Sequence, residues 1–541
     1  MRSSLGRARS AAFVLALSLA LAGCAHGGGG AAAARDGVRF DIAADPQTLD
    51  PLFAHVDASL VEPQLARLIF EPFFDLDERG RPVPALLREI PTLRNGGISP
   101  DARTLTYRLR KGVVWSDGVA VTAADVLFTL HALLDPANPV RSRAGYDLID
   151  RATAPDPHTV VFHLKQPWAP AVATFFAYGT TPQFVLPAHV LRSETPLEHA
   201  PFASAPAVGD GPFVFREWHR GDRVVYVANP RYWRRRPAVP RIDVRVVPDP
   251  NTNLSLLRAG ELDFNLIAPV QIQTVAGTPG VAFRDVPTAL VAGLALEVRH
   301  VPLDDVRVRR ALAQSIDRAA ISRLITFGHY PVADSDRPRF SLAYERSVRE
   351  PAFDAAAADR AFDAAGWRRT ASGMRAKNGR PLELTYVQFP ESTTGVRVAT
   401  FVQAALRSRG VDLAVKSISN AQLFLPASGT LARGDFDLAY VPWTMGADPD
   451  DRFVFGCAGA DKNYMRFCDP AIDRLETRAA AEPSEAARRL AYVAIDRIVV
   501  RDVPVIWLFN PNYTYAYRTR LAGFAPNAFT PTWNAWQWRL R

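Results

Sequence analysis

Apolar and polar residues alternate in three short runs along the first third of the chain. Val38 to Ile42, Thr104-Leu105-Thr106-Tyr107-Arg108-Leu109 and Thr159-Val160-Val161-Phe162-His163-Leu164 repeat with period two, which predicts half-buried strands. Other stretches repeat at helical spacing. Thr122-Ala123-Ala124-Asp125 is an N-terminal cap signal, and Val126, Leu127, Leu130, Leu133 and Leu134 follow it on one face. Asp304 and Asp305 open a second helix, running through Val306-Arg307-Val308-Arg309-Arg310-Ala311-Leu312, with acids at its positive end. Asp354 to Gly366 is an alanine-rich helix with the glycine as its stop. Asn378-Gly379, between Met374 to Lys377 and Leu382 to Val387, predicts a hairpin. Strands and amphipathic helices alternate throughout with no internal repeat, which is the pattern of a mixed α/β chain.

One apolar run breaks this pattern. Ala11 to Ala22, interrupted only by Ser18, follows Arg2, Arg7 and Arg9, and a basic start before a short apolar stretch predicts an export signal over 1–23. The run ends in Leu21-Ala22-Gly23-Cys24, which resembles the bacterial lipobox. That resemblance implies a lipid on Cys24 and a flexible tether over 24–35, rich in glycine and alanine. An ordinary signal peptide with a chance cysteine is the alternative. No later run reaches the ~18–20 apolar residues of a membrane span.

Composition narrows the class. With 541 residues, 48% hydrophobic and 22% charged, the chain has apolar mass for roughly three to four domain-sized units. The net charge of +9 rests on 64 Lys and Arg, only five of them lysine, scattered among 55 acids. The densest basic run, Arg234-Arg235-Arg236 behind Tyr232-Trp233, reads as a solvated loop, so nucleic acid is not expected as a partner. Besides Cys24 there are Cys457 and Cys468, with ten residues between them, and in an oxidising compartment these are expected to pair. No zinc spacing, nucleophile elbow, phosphate loop or dinucleotide fingerprint occurs. The histidines at 55, 163, 219 and 329 are scattered. No catalytic residue, metal or cofactor is expected.

Eight segments in order carry a resemblance. They are Leu49-Asp50-Pro51 with Ile69-Phe70-Glu71-Pro72-Phe73-Phe74-Asp75; Lys111-Gly112-Val113-Val114-Trp115-Ser116-Asp117-Gly118; Val208-Gly209-Asp210-Gly211-Pro212-Phe213; Asn229-Pro230-Arg231-Tyr232-Trp233; Gly260-Glu261-Leu262-Asp263; Pro302 to Leu312 with Ile316-Asp317-Arg318; Gly434-Asp435-Phe436-Asp437-Leu438; and Asp448-Pro449-Asp450. Together they resemble the large solute-binding proteins of ABC importers, the family that takes peptides, oligopeptides and nickel complexes. Asp210 stands where that family carries threonine. The resemblance implies an α/β, two-lobed periplasmic-binding-protein-like fold of the large type II, cluster C kind, with an inserted domain and a hinge. The expected division is 36–78, 200–290 and 510–541 for the core of lobe 1, 79–199 for the insertion and 291–509 for lobe 2.

The same resemblance implies a ligand site. On lobe 2 it points to Phe389 and to Trp443, Thr444, Met445, Gly446 and Asp448; on lobe 1 it points to His55, Val56 and Asp57. The aspartate that pairs with a peptide's amino group in relatives is missing from Met445-Gly446-Ala447, and Phe389 replaces the arginine that dipeptide binders use for the carboxylate. A buried charge without a partner costs several kcal/mol, which disfavours a free dipeptide. The motif segments themselves read as scaffold. The implied function is a monomeric receptor that captures a peptide or another small-molecule solute and delivers it to ABC permease subunits, held to the membrane by its lipid. An exported α/β enzyme such as a hydrolase, or a solute sensor or chaperone on the same fold, are the alternatives.

Overall fold

The computed structural model describes residues 36–53, 61–140, 142–178, 182–446, 448–458 and 462–541. Two large sheets organise it. The first has seven strands in the order Val281–Pro287, Asn512–Arg518, Phe264–Ile267, Gly37–Ile42, Arg241–Val246, Arg223–Ala228 and Phe213–His219. Gly37–Ile42 lies parallel to both neighbours, with Val38 opposite Ile242 and Phe40 opposite Phe264; the other pairs are antiparallel. The alternation read in the sequence puts Val38, Phe40 and Ile42 into one large core. The opposite face is covered by the helix Pro250–Arg258, whose Leu254 and Leu257 pack with Ile267 and Ala516.

The second sheet has five strands in the order Asp412–Ser417, Glu383–Gln388, Leu438–Thr444, Leu290–Leu296 and Val505–Phe509. Along Leu290–Leu296, Ala292, Leu294 and Leu296 enter one core while Val291 and Ala295 enter another. A sheet buried on both faces reads as continuous apolar sequence, and Val505-Ile506-Trp507-Leu508-Phe509 is such a run. A third, antiparallel sheet of Thr104–Arg108, Thr159–Leu164 and Ile149–Asp156 packs with the helix Ala123–Leu134.

Local signals act where the sequence placed them. The Asp354 carboxylate accepts the Ala357 N–H at 2.9 Å to start the helix Ala355–Ala364, and Gly366 follows it at φ +89°. Asn378 and Gly379 both adopt positive φ, with Lys377 opposite Arg380. The second hairpin strand ends at Pro381, however, and Glu383–Gln388 belongs to the five-stranded sheet, parallel to both its neighbours. Among the described residues no helix is long and apolar enough to cross a membrane.

Candidate functional site

The chain passes between the two large sheets twice, at adjacent points. Pro287 ends a strand of the first sheet and Leu290 begins one of the second; Phe509 and Asn512 mark the return. Pro287 lies opposite Asn512 in one ladder, and Ala292 opposite Phe509 in the other. The Thr288 hydroxyl donates to the Pro511 carbonyl across this junction. Met445 N–H donates to Ala289 O at 2.8 Å, which ties the segment after Trp443 to the first crossover. His329 and Asn512 brace the second, through His329 Nδ1 with Asp285 at 2.8 Å and Asn512 Nδ2 donating to His329 O at 2.6 Å.

The two sheet-bearing halves also meet beyond the crossovers. Ala169 N–H donates to Ala480 O at 2.6 Å. Phe340 packs against the core of the first half, and its ring fits over Gly80 so closely that a Cβ there would stand 2.7 Å from the Phe340 Cβ.

The residues singled out from the sequence fall into three groups. His55, Val56, Asp57 and Cys24 lie outside the described residues. Trp443 and Met445 are 1% and 3% exposed and belong to one core of the second sheet. The period of two sends Trp443 to the same face as Ala439 and Val441, where it meets Trp507 edge-on at 5.3 Å. Its Nε1 donates to Lys462 O at 3.4 Å, inside the loop closed by the Cys457–Cys468 disulfide. In this conformation neither side chain offers an open face. Asp448 gives both oxygens to Arg488, at 2.6 and 2.7 Å, so its charge is answered within the protein. Phe389 is half-buried against Phe424 and Tyr440, Thr444 is exposed, and Gly446 allows a turn in which a Cβ would stand 2.9 Å from Asp448 O.

A recess missed in the sequence lies on the segment that follows the hinge brace. Val332, Asp334, Arg339, Tyr344, Arg346 and Arg349 line a cavity of about 390 Å³. Val332 pairs with Phe509 beside the crossover, and Phe340, within the same segment, touches the first half. The Tyr344 hydroxyl donates to Asp334 at 3.0 Å, and burial and that bond raise its pKa. Three exposed guanidiniums against one carboxylate make the recess basic. Only their spacing within Arg339 to Arg349 could have signalled it.

The motif segments converge elsewhere, as scaffold. Gly209 and Gly211 abut the Ile69 carbonyl, where Cβ atoms would come within 2.4 and 2.6 Å, and Asp210 accepts the Glu71 N–H at 3.0 Å. Arg67 joins Glu71 and Asp75 in a buried network, and the Tyr232 hydroxyl donates to Glu71. Burial and the nearby Glu71 push the Asp210 carboxyl well above its usual range. Arg110 and Arg234 stack on Trp233, which spends part of the basic run inside the fold.

Known proteins share this architecture. The chain is 27% identical to Protein XP55 of Streptomyces lividans over 529 residues, 95% of this chain and 92% of that protein. It is 26% identical to Di/tripeptide-binding protein 2 of Pseudomonas aeruginosa over 468 residues, 82% and 85% of the two chains. Among solved structures, the ABC transporter substrate-binding protein CtaP of Listeria monocytogenes superposes with a TM-score of 0.82 at 22% identity, covering 94% of this chain and 100% of that one. Residues 81–465 match the family profile of bacterial extracellular solute-binding proteins, family 5. With two sheets joined at paired crossovers and this match over most of its length, the chain belongs to the bacterial extracellular solute-binding proteins of family 5.

Proposed function

We propose that this protein binds a peptide or peptide-like solute between its two halves, without chemistry, and delivers it to the permease of an ABC importer. The observation that carries the reading is the pair of bonded crossovers joining two separately packed sheets in a chain of this family. That architecture closes on ligand by rotation about the connecting segments. Lobe 1 comprises 36–78, 200–290 and 510–541, the insertion 79–199, and lobe 2 291–509. Phe389, Thr444 and Gly446 form part of the lobe 2 wall and residues 53–57 part of the wall on lobe 1. The basic recess of Arg339, Arg346 and Arg349 takes the carboxylate end, which supplies the cation that Phe389 does not. The protein acts as an exported monomer anchored through Cys24.

The test is to purify the exported protein gently, release bound solute by denaturation and identify it by mass spectrometry. Peptides are the expected cargo, and calorimetry with a defined peptide pool should reproduce the binding. Recovery of no solute together with no peptide binding would refute the reading.

A further inference from the structure

The strand Gly37–Ile42 runs parallel to both Arg241–Val246 and Phe264–Ile267, so all three start at one end of the first sheet. The strand Asn512–Arg518 pairs antiparallel with Phe264–Ile267, which leaves Asn512 by the second crossover and Arg518 at this other end. The chain enters the sheet here, remote from the crossovers. Gly37 lies opposite Arg241, where a Cβ would stand 2.7 Å from the Arg241 carbonyl oxygen. Arg241 comes a few residues after Arg234-Arg235-Arg236, and the Pro240 carbonyl just before it accepts the Ala228 N–H at 2.9 Å. The densest basic run of the chain therefore sits beside the point of entry.

The segment after Arg518 folds back over the same end. Trp538 meets Phe264 edge-on at 5.6 Å, and Arg541 N–H donates to the Arg520 carbonyl at 2.9 Å. This brings Trp536 against the basic run, with Arg234 and Arg235 at 5.2 and 5.7 Å from its ring. Arg234 also covers Trp233 at 4.4 Å, and Arg110 lies 4.6 Å from that ring. Burial and the facing Arg234 guanidinium lower the Arg110 pKa, as a local surplus of positive charge does. Arg235, Arg236, Arg539 and Arg541 are exposed, and among the described residues none pairs with a carboxylate. Nearby acids are spent: Asp243, Glu261 and Asp263 pair with Arg241, Arg39 and Arg520, while Asp36 is exposed.

We propose that this end of the first half is a docking surface for anionic lipid headgroups, which holds the anchored protein on its membrane in one orientation. The inference rests on the reading of Cys24 as the anchor. Twelve residues separate Cys24 from Gly37, a reach of at most about 45 Å when fully extended. A lipid on Cys24 thus keeps the basic run within that distance of the headgroups, which favours a membrane over a dissolved anion as its partner. Guanidiniums match phosphate geometry, and indoles favour the headgroup level, where one edge is wet and the ring is not. The lipid supplies retention and the arginines supply orientation. Because the crossovers lie at the opposite end of the sheet, lipid contact and solute capture do not compete.

Residues 37–541 form one compact unit that contains the four cores, so the chain 36–541, which carries no lipid, is the protein to test. It is sedimented with vesicles of phosphatidylcholine alone and of phosphatidylcholine mixed equally with phosphatidylglycerol. Binding to the anionic vesicles should be at least ~10-fold tighter, and should vanish between about 0.1 M and about 1 M salt as screening shortens. The triple variant Arg235→Gln, Arg236→Gln, Arg539→Gln should lose about 5-fold per charge, roughly 100-fold in all. A charge-matched variant of exposed arginines on the second half, Arg323→Gln, Arg360→Gln, Arg397→Gln, should bind like wild type. Both variants should still bind peptide. Equal binding to the two vesicle types, or equal loss in the two variants, overturns the surface. Displacement by inorganic phosphate at constant ionic strength assigns the arginines to a dissolved anion and overturns it too. Fractionation of Cys24→Ser reports on the anchor alone, so failure of the anchor and failure of this surface are told apart.

Discussion

The Thr288 hydroxyl donates to the Pro511 carbonyl at 2.5 Å, so each segment that carries the chain between the sheets is bonded to the other. The same oxygen accepts the Leu290 N–H at 3.0 Å, and Thr288 is buried. Thr288→Val keeps the shape and strands both partners. A loss of about 1–3 kcal/mol in urea unfolding is expected, with Thr288→Ser retaining most of it. Equal stability of the valine variant and wild type would remove this bond from the account.

Trp443→Ala separates core from cleft. The indole packs against Trp507 and is 1% exposed, so its removal should cost about 3–5 kcal/mol of stability. Affinity in the fraction that stays folded should change little. A melting temperature near wild type, combined with binding weakened by about 1–3 kcal/mol, would show instead that the ring turns to face the solute.

Asp50 makes stability depend on pH. Its Oδ1 accepts the Leu52 N–H at 2.9 Å, its Oδ2 meets no donor, and burial lifts the carboxyl from 3.8 to about 7 against the pull of that bond. The folded-state value exceeds the unfolded one, so folding favours the protonated form. The group's contribution is fully present below about pH 4 and is lost as pH rises through about 7. Asp50→Asn should therefore melt higher than wild type near pH 8, with the gain shrinking towards pH 4. A constant offset across that range would exclude the assignment.

Gly80, at φ +75°, sits under Phe340 where the two halves touch. Gly80→Val adds left-handed strain of about 1–2 kcal/mol and a clash with the ring. Small-angle scattering should show a larger radius of gyration, and solute affinity should fall. Adding Phe340→Ala should restore part of the compactness. Scattering identical to wild type would show that this contact does not hold the halves together.

Cys24→Ser tests the anchor read from Leu21-Ala22-Gly23-Cys24. The variant is expected in the soluble extracytoplasmic fraction while wild type fractionates with membrane. A variant that stays with the membrane places the attachment elsewhere.

The sequence was most informative where a single residue sets the local backbone. Asp354 and Gly366 bound their helix, and Asn378-Gly379 turn their hairpin, because caps and positive-φ positions act over a few residues. The ordered motif series made the family legible, and Glu71, Asp210 and Tyr232 hold one another, in keeping with the reading of those segments as scaffold. Long-range pairing was not legible. Nothing near Val38 marks Ile242 as its neighbour, and nothing near Leu382 separates a hairpin strand from one in the larger sheet. The burial of Trp443 could have been read from its period-two companions Ala439 and Val441, but its place within the expected ligand loop argued the other way. The buried carboxylates at 336, 451 and 496 come together only through the packing of one helix and two loops.

The doubled, bonded crossover also constrains what a partner can see. A single tether would let one half swing and twist freely, whereas two antiparallel segments pinned by Thr288 leave essentially one soft rotation. Different cargoes can then alter how far the halves approach but not the direction of approach. A docking partner that reads the outer rims of both halves would meet rims displaced along one path whatever is enclosed, so recognition of closure is separated from recognition of the cargo's chemistry.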